Sequence, residues 1–241
     1  MKYLNIMFIF VVTMFVVSVS PVFADDPFGD LISGTKIYFS HVATQNGWET
    51  EIAVINPTSE AASGTMISYS DSGRQVGDPI SIDLPAHGRY QAEVGTAFAN
   101  PETIAYIVLT SEVFGLKGYT KFHMGGMRAS IMASGPRTTG LFTKIDHEGW
   151  TGIAFINTAS AATANITLTA YDNNGEVVAE ETMQVVSGEK VVDPVEKIFT
   201  DSVESATYVS YTSDHGVVGF FLNGFGDGSG AGDVLDGSQA L

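Results

Sequence analysis

The sequence predicts an all-β protein, built as two tandem seven-stranded antiparallel β-sandwich domains of immunoglobulin-like or jelly-roll-like type behind an N-terminal signal peptide. Three observations carry that reading. Short runs of Val, Ile, Thr, Tyr and Phe are broken every 8 to 12 residues by Gly, Pro, Asn or Asp, which is strand and turn punctuation. The stretch Gly149-Trp150-Thr151-Gly152-Ile153-Ala154-Phe155-Ile156-Asn157 has a near copy in Gly47-Trp48-Glu49-Thr50-Glu51-Ile52-Ala53-Val54-Ile55-Asn56, so the repeating unit is a whole domain. Cysteine is absent, so each unit must stand on its hydrophobic core without disulfides.

Residues 1–24 read as a secretory signal: Lys2 is the positive start, Ile6 to Val17 is an apolar run, and Val22-Phe23-Ala24 places small side chains at the cleavage position. The run is shorter than the roughly 20 residues of a spanning helix, and no later stretch is long and apolar enough to cross a bilayer. The protein is therefore expected to be secreted, periplasmic or on the cell surface. Cleavage removes one lysine and no acidic residue, which lowers the formal charge from −16 to −17. Such a field repels phosphate backbones and argues against nucleic acid as a partner.

An acidic lead, 25–35, precedes the first repeat, 36–135. Its strands are expected near 36–41, 50–56, 64–70, 79–84, 89–94, 104–111 and 116–122. Pro136-Arg137-Thr138-Thr139-Gly140 reads as a short polar connector. The second repeat, 141–224, offers strands near 141–145, 151–157, 164–171, 177–185, 189–192, 206–211 and 217–223, and 225–241 is a Gly and Asp rich tail. Ile166-Thr167-Leu168-Thr169-Ala170 alternates apolar and polar, as one face in a core and one in water requires. Ile153-Ala154-Phe155-Ile156 is apolar on both faces, so this strand should be covered on each side. Asp71-Ser72-Gly73 and Asn173-Asn174-Gly175 mark matching hairpins. A single helical turn is expected at Val195 to Thr200, opposite Val94 to Ala99.

The spacing between copies supports strands independently. Ile52 pairs with Ile153 and Asn56 with Asn157 at 101, Tyr106 pairs with Tyr208 at 102, and Gly118 with Gly219 at 101 again. A slip of one inside a strand would turn its core side chains to solvent, so these slips belong in turns.

Chemistry-bearing motifs are sparse. Trp48 and Trp150 occupy equivalent positions and read first as core plugs, with sugar-stacking platforms as the functional alternative; Tyr90 and Tyr119 are the other aromatic binding candidates. Asn56 and Asn157 read as turn-forming side chains that bond nearby backbone. His41, His87, His123, His147 and His215 show no ligand spacing of the H-x-x-x-H kind. Asp146-His147-Glu148 reads as a surface loop, because three adjacent residues on an extended chain point to alternate sides. Neither a G-x-S-x-G elbow nor a cysteine nucleophile is present, so no catalytic residue is assigned. No cofactor is expected, with a metal or acid-base site at Asp146-His147-Glu148 as the lesser reading of that triplet and calcium at Asp227, Asp233 and Asp236 as the metal hypothesis for the tail.

The pattern G-W-x-T-x-I-A-x-x-N, followed by a T-A-Y-D-x-x-G hairpin, Thr-Ser and a Gly-x-x-Gly strand, resembles an uncharacterised class of tandem β-sandwich repeats in exported bacterial proteins. Trp150, Asn157, Tyr171, Asp172, Gly175, Thr212, Ser213 and Gly219 carry it best, and the first repeat departs at Tyr69-Ser70-Asp71. The resemblance implies an exported β module and transfers no active-site residue. The expected function is a non-enzymatic structural, adhesive or matrix and assembly role, with an envelope or matrix component as partner. A carbohydrate-binding module contacting polysaccharide through aromatic side chains is the alternative, and a secreted hydrolase is third.

Overall fold

A computed structural model describes residues 35–225 and 234–241. The chain is all-β, and every paired strand is antiparallel. Its first half holds β1 (Thr35–Phe39), β2 (Glu49–Ile55), β3 (Ala62–Tyr69), β4 (Gln75–Leu84), β5 (Arg89–Glu93), the helical turn α1 (Val94–Ala97), β6 (Tyr106–Ser111), β7 (Lys117–Met124) and β8 (Met127–Met132). These strands make two sheets of order β1-β6-β3-β4 and β5-β2-β7-β8. Phe39, Ile52, Val54, Met66, Leu84, Ile107 and Leu109 fill the space between them. Because β1 and β2 lie in different sheets, the order is not the immunoglobulin one, in which the first two strands are neighbours.

The second half runs through β9 (Arg137–Phe142), β10 (Trp150–Asn157), β11 (Ala164–Tyr171), β12 (Val177–Val185), β13 (Lys190–Pro194), the turn α2 (Val195–Ile198), β14 (Tyr208–Phe225) and β15 (Val234–Gln239). All its strands join one sheet because β14 is 18 residues long. Tyr208–Ser213 of that strand pairs with β11 and its far part, from Val217, pairs with β10 and then β15. One strand thus does the work of β6 and β7 together. Thr212 to Gly216, which reads as a turn in sequence, is held extended where Asp214 accepts hydrogen bonds from the Asn165 backbone at 2.8 Å and side chain at 2.6 Å. Phe142, Phe155, Tyr211 and Phe221 pack edge-on and stacked in the core of this half.

Repetition is visible in detail. A Cβ on Gly118 would fall 2.6 Å from the Phe39 ring, and one on Gly219 would fall 3.2 Å from Phe142, so each glycine makes room for the aromatic plug of its own half. Asn56 donates to Glu60 O at 2.7 Å and Pro85 O at 3.0 Å, and Asn157 to Ala162 O at 2.7 Å and Val185 O at 2.9 Å. Each amide therefore satisfies backbone in its own turn and in a second loop.

Several sequence expectations require correction. Among the described residues the first half has eight strands rather than seven: β8 alternates buried and exposed along Met127 to Met132 and pairs with β7. The polar connector is the start of β9, which pairs with β14. The far end of the tail is a strand too, and Ala240 beyond it is buried in the core. Residues 1–34 and 226–233, which include the expected signal sequence, most of the acidic lead and the calcium candidates Asp227 and Asp233, lie outside the described residues.

The doubly apolar strand finds both its covers. Ile153 and Phe155 of β10 face the core of their own half, whereas Ala154 and Ile156 face the first half. Ala154, Phe220 and Leu222 meet Phe122, Ala129 and Ile131; Ile156 and Val218 meet Tyr38, Tyr106 and Val108. A Cβ on Gly237 would lie 2.8 Å from Leu222 and 3.4 Å from Ile131, so this glycine lets β15 approach β8 closely. Burying each large apolar side chain here is worth about 1.5 to 3 kcal/mol, which makes the contact a continuation of the two cores.

Candidate functional site

Where the two halves meet, the hairpin before β5 and its counterpart before β13 diverge in use. Gly188 sits at φ 74 in the turn that leads into β13 and presses on the β3–β4 hairpin of the first half, where a Cβ on Gly73 would lie 2.6 Å from Gly188 O. Tyr106 donates its phenol to Gly188 O at 2.7 Å, and the Lys190 backbone N–H donates to Asp71 O at 2.8 Å. The turn thereby delivers the Lys190 side chain into the contact between the halves. Its Nζ lies 2.9 Å from Ala105 O, 3.2 Å from Nδ1 of His41 and 5.4 Å above the Phe220 ring. His41 is wedged edge-on against Phe122 at 4.7 Å and tilted on Phe220 at 5.4 Å.

Burial pushes the Lys190 ammonium down to about 8, partly opposed by the attraction of Asp71. Burial first, and the Lys190 charge second, hold His41 well below the ordinary histidine value. At neutral pH the pair is an ammonium donating to a neutral imidazole. A cleft of about 700 Å³ opens over it, walled by Asn46, Trp48, Asp71, Arg74, Glu102 and Val192. Lys190 is only 6 % exposed and its side-chain bonds go to the first half, so its chemistry is that of an anchor.

This geometry predicts acid sensitivity. His41 takes up a proton in the unfolded chain as pH falls through about 6.5 but not in the folded one, so folded stability drops by up to about 1.4 kcal/mol per pH unit below that point. In His41→Gln that increment should vanish, as read from urea midpoints at pH 7 and pH 5. Equal midpoint changes in both proteins would contradict it.

A second polar assembly covers the outer face of the β5-β2-β7-β8 sheet. Glu51, 7 % exposed, accepts from the Tyr119 phenol at 2.7 Å, from Gln91 at 2.7 Å and from Lys121 at 3.2 Å, with Arg89 4.0 Å away. Arg89 donates to the Tyr119 oxygen at 2.6 Å. The Tyr119 hydrogen bond, then Lys121 and Arg89, lower the Glu51 carboxyl against the opposing pull of its burial. One row further along, Glu49, Glu93 and His123 bring ligand atoms within 4.8 Å of one another, and Glu49 and His123 face each other across strands. Two carboxylates and an imidazole could hold a divalent cation there. Histidine spacing along the chain gave no sign of it, because the three residues come from three neighbouring strands.

The aromatic candidates scatter. Trp48 is half-buried, its ring 6.0 Å from Phe122 at the rim of the cleft. Trp150 is 41 % exposed and lies against the backbone of Gly224, its cross-strand neighbour, where a Cβ would overlap the indole. Neither is the fully buried plug that repetition suggested. Tyr90 packs half-buried on the first-half core, which raises its phenol. Tyr119 is engaged by Glu51 and Arg89. Asp236 is exposed on β15 opposite Asn223, and its carboxylate accepts from the Gly237 N–H at 2.8 Å. Asp146, His147 and Glu148 do not converge: Asp146 takes Lys144 at 2.8 Å, while His147 Nε2 lies 2.6 Å from Ala206 O.

No protein-family model and no curated protein matches the chain. Among solved structures it is similar to the Thermotoga maritima 1070 crystal structure, at TM-score 0.36 and 12% identity over 43% of this chain and 92% of that one. It is also similar to a glycosyl hydrolase family 2 member from Bacteroides cellulosilyticus, at TM-score 0.22 and 11% identity over 86% of this chain and 28% of that one. A Bacteroides uniformis β-glucuronidase 2 mutant gives TM-score 0.21 and 12% identity over 90% and 27%. The chain spans under a third of the length of those two glycosidases. Likeness at this level carries no argument about function.

Proposed function

We propose that the protein is an exported, non-enzymatic structural or assembly component, made of two tandem β-sandwich domains fixed to one another. The single observation that carries this reading is the covering of the second half's outer sheet face by the first half, with Lys190 bonded across the seam. A sheet face spent on holding two repeats rigid serves mechanical continuity. Residues 1–24 act as the export signal, and the acidic surface keeps the protein soluble outside the cytoplasm. Among the described residues no helix is long and apolar enough to cross a membrane. The mature protein should leave panels of glycosides, esters and peptides intact; turnover that purifies with the protein would overturn the proposal.

Trp150 favours carbohydrate binding as a second reading. Its indole has one side on glycine backbone and remains 41 % exposed, which is how a ring offers apolar area to a pyranose. Polysaccharide that quenches tryptophan fluorescence in Trp48→Phe but not in Trp150→Phe would establish it.

A further inference from the structure

Among the described residues the contact between the halves has one further copy of each of its two faces that the other half does not cover, and we propose that these faces join end to end, so that the second half of one molecule receives the first half of another. The inference rests on the assembly reading above and names its partner as a second copy of this chain.

On the receiving side, Tyr69 and Tyr106 stack at 5.1 Å and 12° where the first half accepts the second. Their counterparts Tyr171 and Tyr208 stack at 5.1 Å and 13°, yet stand half-buried and outside the apolar clusters of the described residues. Beside the first pair, Tyr38 exchanges backbone hydrogen bonds with Ser134 at 2.8 and 3.2 Å. Beside the second, Leu141 does so with Leu241 at 3.1 Å each way. Tyr38 is buried by the second half, whereas Leu141 and Leu241 are 41 % and 64 % exposed. Among the described residues the receiving site is therefore built twice and filled once.

On the delivering side, Ala154, Ile156, Phe220 and Leu222 dock, and Ala53, Ile55, Tyr119 and Lys121 occupy the same places 101 residues earlier. His87, at φ 58, repeats the left-handed turn of Gly188, and Arg89 stands for Lys190. The polar changes on the two free faces are matched. Leu222 is delivered against Ala129 and Ile131; Lys121 replaces Leu222, while Asp236 takes the place of Ala129 and Ser238 that of Ile131. Lys121, which also donates to Glu51 at 3.2 Å, thus faces an aspartate where two apolar side chains meet within the chain. At the place of His41, Lys144 is already neutralised by Asp146 at 2.8 Å, so the incoming Arg89 meets no net charge. Such a contact is heterologous, and repeated addition makes an open chain instead of a closed pair.

The test is sedimentation of the full mature protein over a wide concentration range at an ionic strength of about 0.15 M. The average mass should rise with concentration without levelling at two chains. Leu141→Glu on the receiving face and Ile55→Glu on the delivering face, where Arg89 and Lys117 sit opposite Ile55 and match the new charge, should each abolish the growth. Mixed together they should stop at one pair, since each retains the face the other lacks. Asp236→Lys and Lys121→Gln serve in the same way if either glutamate variant fails to melt like the parent. A monomer at every concentration, or a dimer indifferent to these changes, overturns the inference and leaves the assembly reading to its own turnover test.

Discussion

Phe220→Ala should cost about 3 to 5 kcal/mol of unfolding free energy, although the residue lies on the outer face of its sheet. The ring is fully buried between the halves, clustered with Phe122, Ala129, Ile131 and Leu222, with His41 5.4 Å away and the Lys190 ammonium over its face. Truncation removes transfer energy, opens a cavity that two sheets cannot both collapse into, and withdraws the cation–π contact from a buried charge. Duplication supplies the control. Tyr119 sits at the same place in the first half, on a face that the described residues of the other half do not cover, where Tyr119→Ala forfeits mainly its bonds to Glu51 and Arg89 and should cost about 1 to 2 kcal/mol. Equal losses in denaturant titrations would mean that the seam does not exist in solution.

Lys190→Met should be at least as stable as the parent at pH 7, and the parent should gain on it as the solution turns alkaline. With the folded value depressed to about 8 against 10.5 when unfolded, the unfolded chain binds more protons between those limits. Stability contributed by this residue therefore rises with pH across that window, by about 3 kcal/mol in total. Below pH 8 the parent bears the full cost of a buried charge, which methionine avoids at similar volume. Ala105 O is not orphaned by the exchange, since it also accepts from the Val42 N–H at 3.1 Å. Buried tyrosines work in the opposite sense: Tyr211 is pushed up to about 12, so alkali above pH 10 favours the unfolded chain in both proteins. The difference between parent and variant cancels that common slope. A variant weaker at pH 7 with a parallel pH profile would show the ammonium to be well paired or exposed.

Strand positions were legible because burial imposes a period. Each of the fourteen segments expected from β-rich runs overlaps a strand, although 141–145 does so only at Leu141 and Phe142 and the last two share β14, and the two helical turns lie where the repeats placed them. What escaped had physical reasons. Met127 to Met132 alternates correctly but follows Gly125-Gly126 and contains an arginine, so it reads as a loop. Val234 to Gln239 is short and polar and becomes a strand because β14 offers it a free edge. The apolar face of Ala154 and Ile156 announced a cover without saying which, since periodicity reports burial and not the identity of the neighbour. The anchor was invisible: His41 and Lys190 are 149 residues apart and belong to different repeats. Repetition itself misled at the tryptophans, because equivalent positions need not have equivalent surroundings once one half docks on the other.

The account depends on the halves sharing one interior across Phe220, Leu222, Phe122 and Ile131. Scanning calorimetry of the chain from Asp25 onward measures this most directly. A single endotherm whose calorimetric and van't Hoff enthalpies agree is the predicted result. Two separable transitions, one per half, would contradict it.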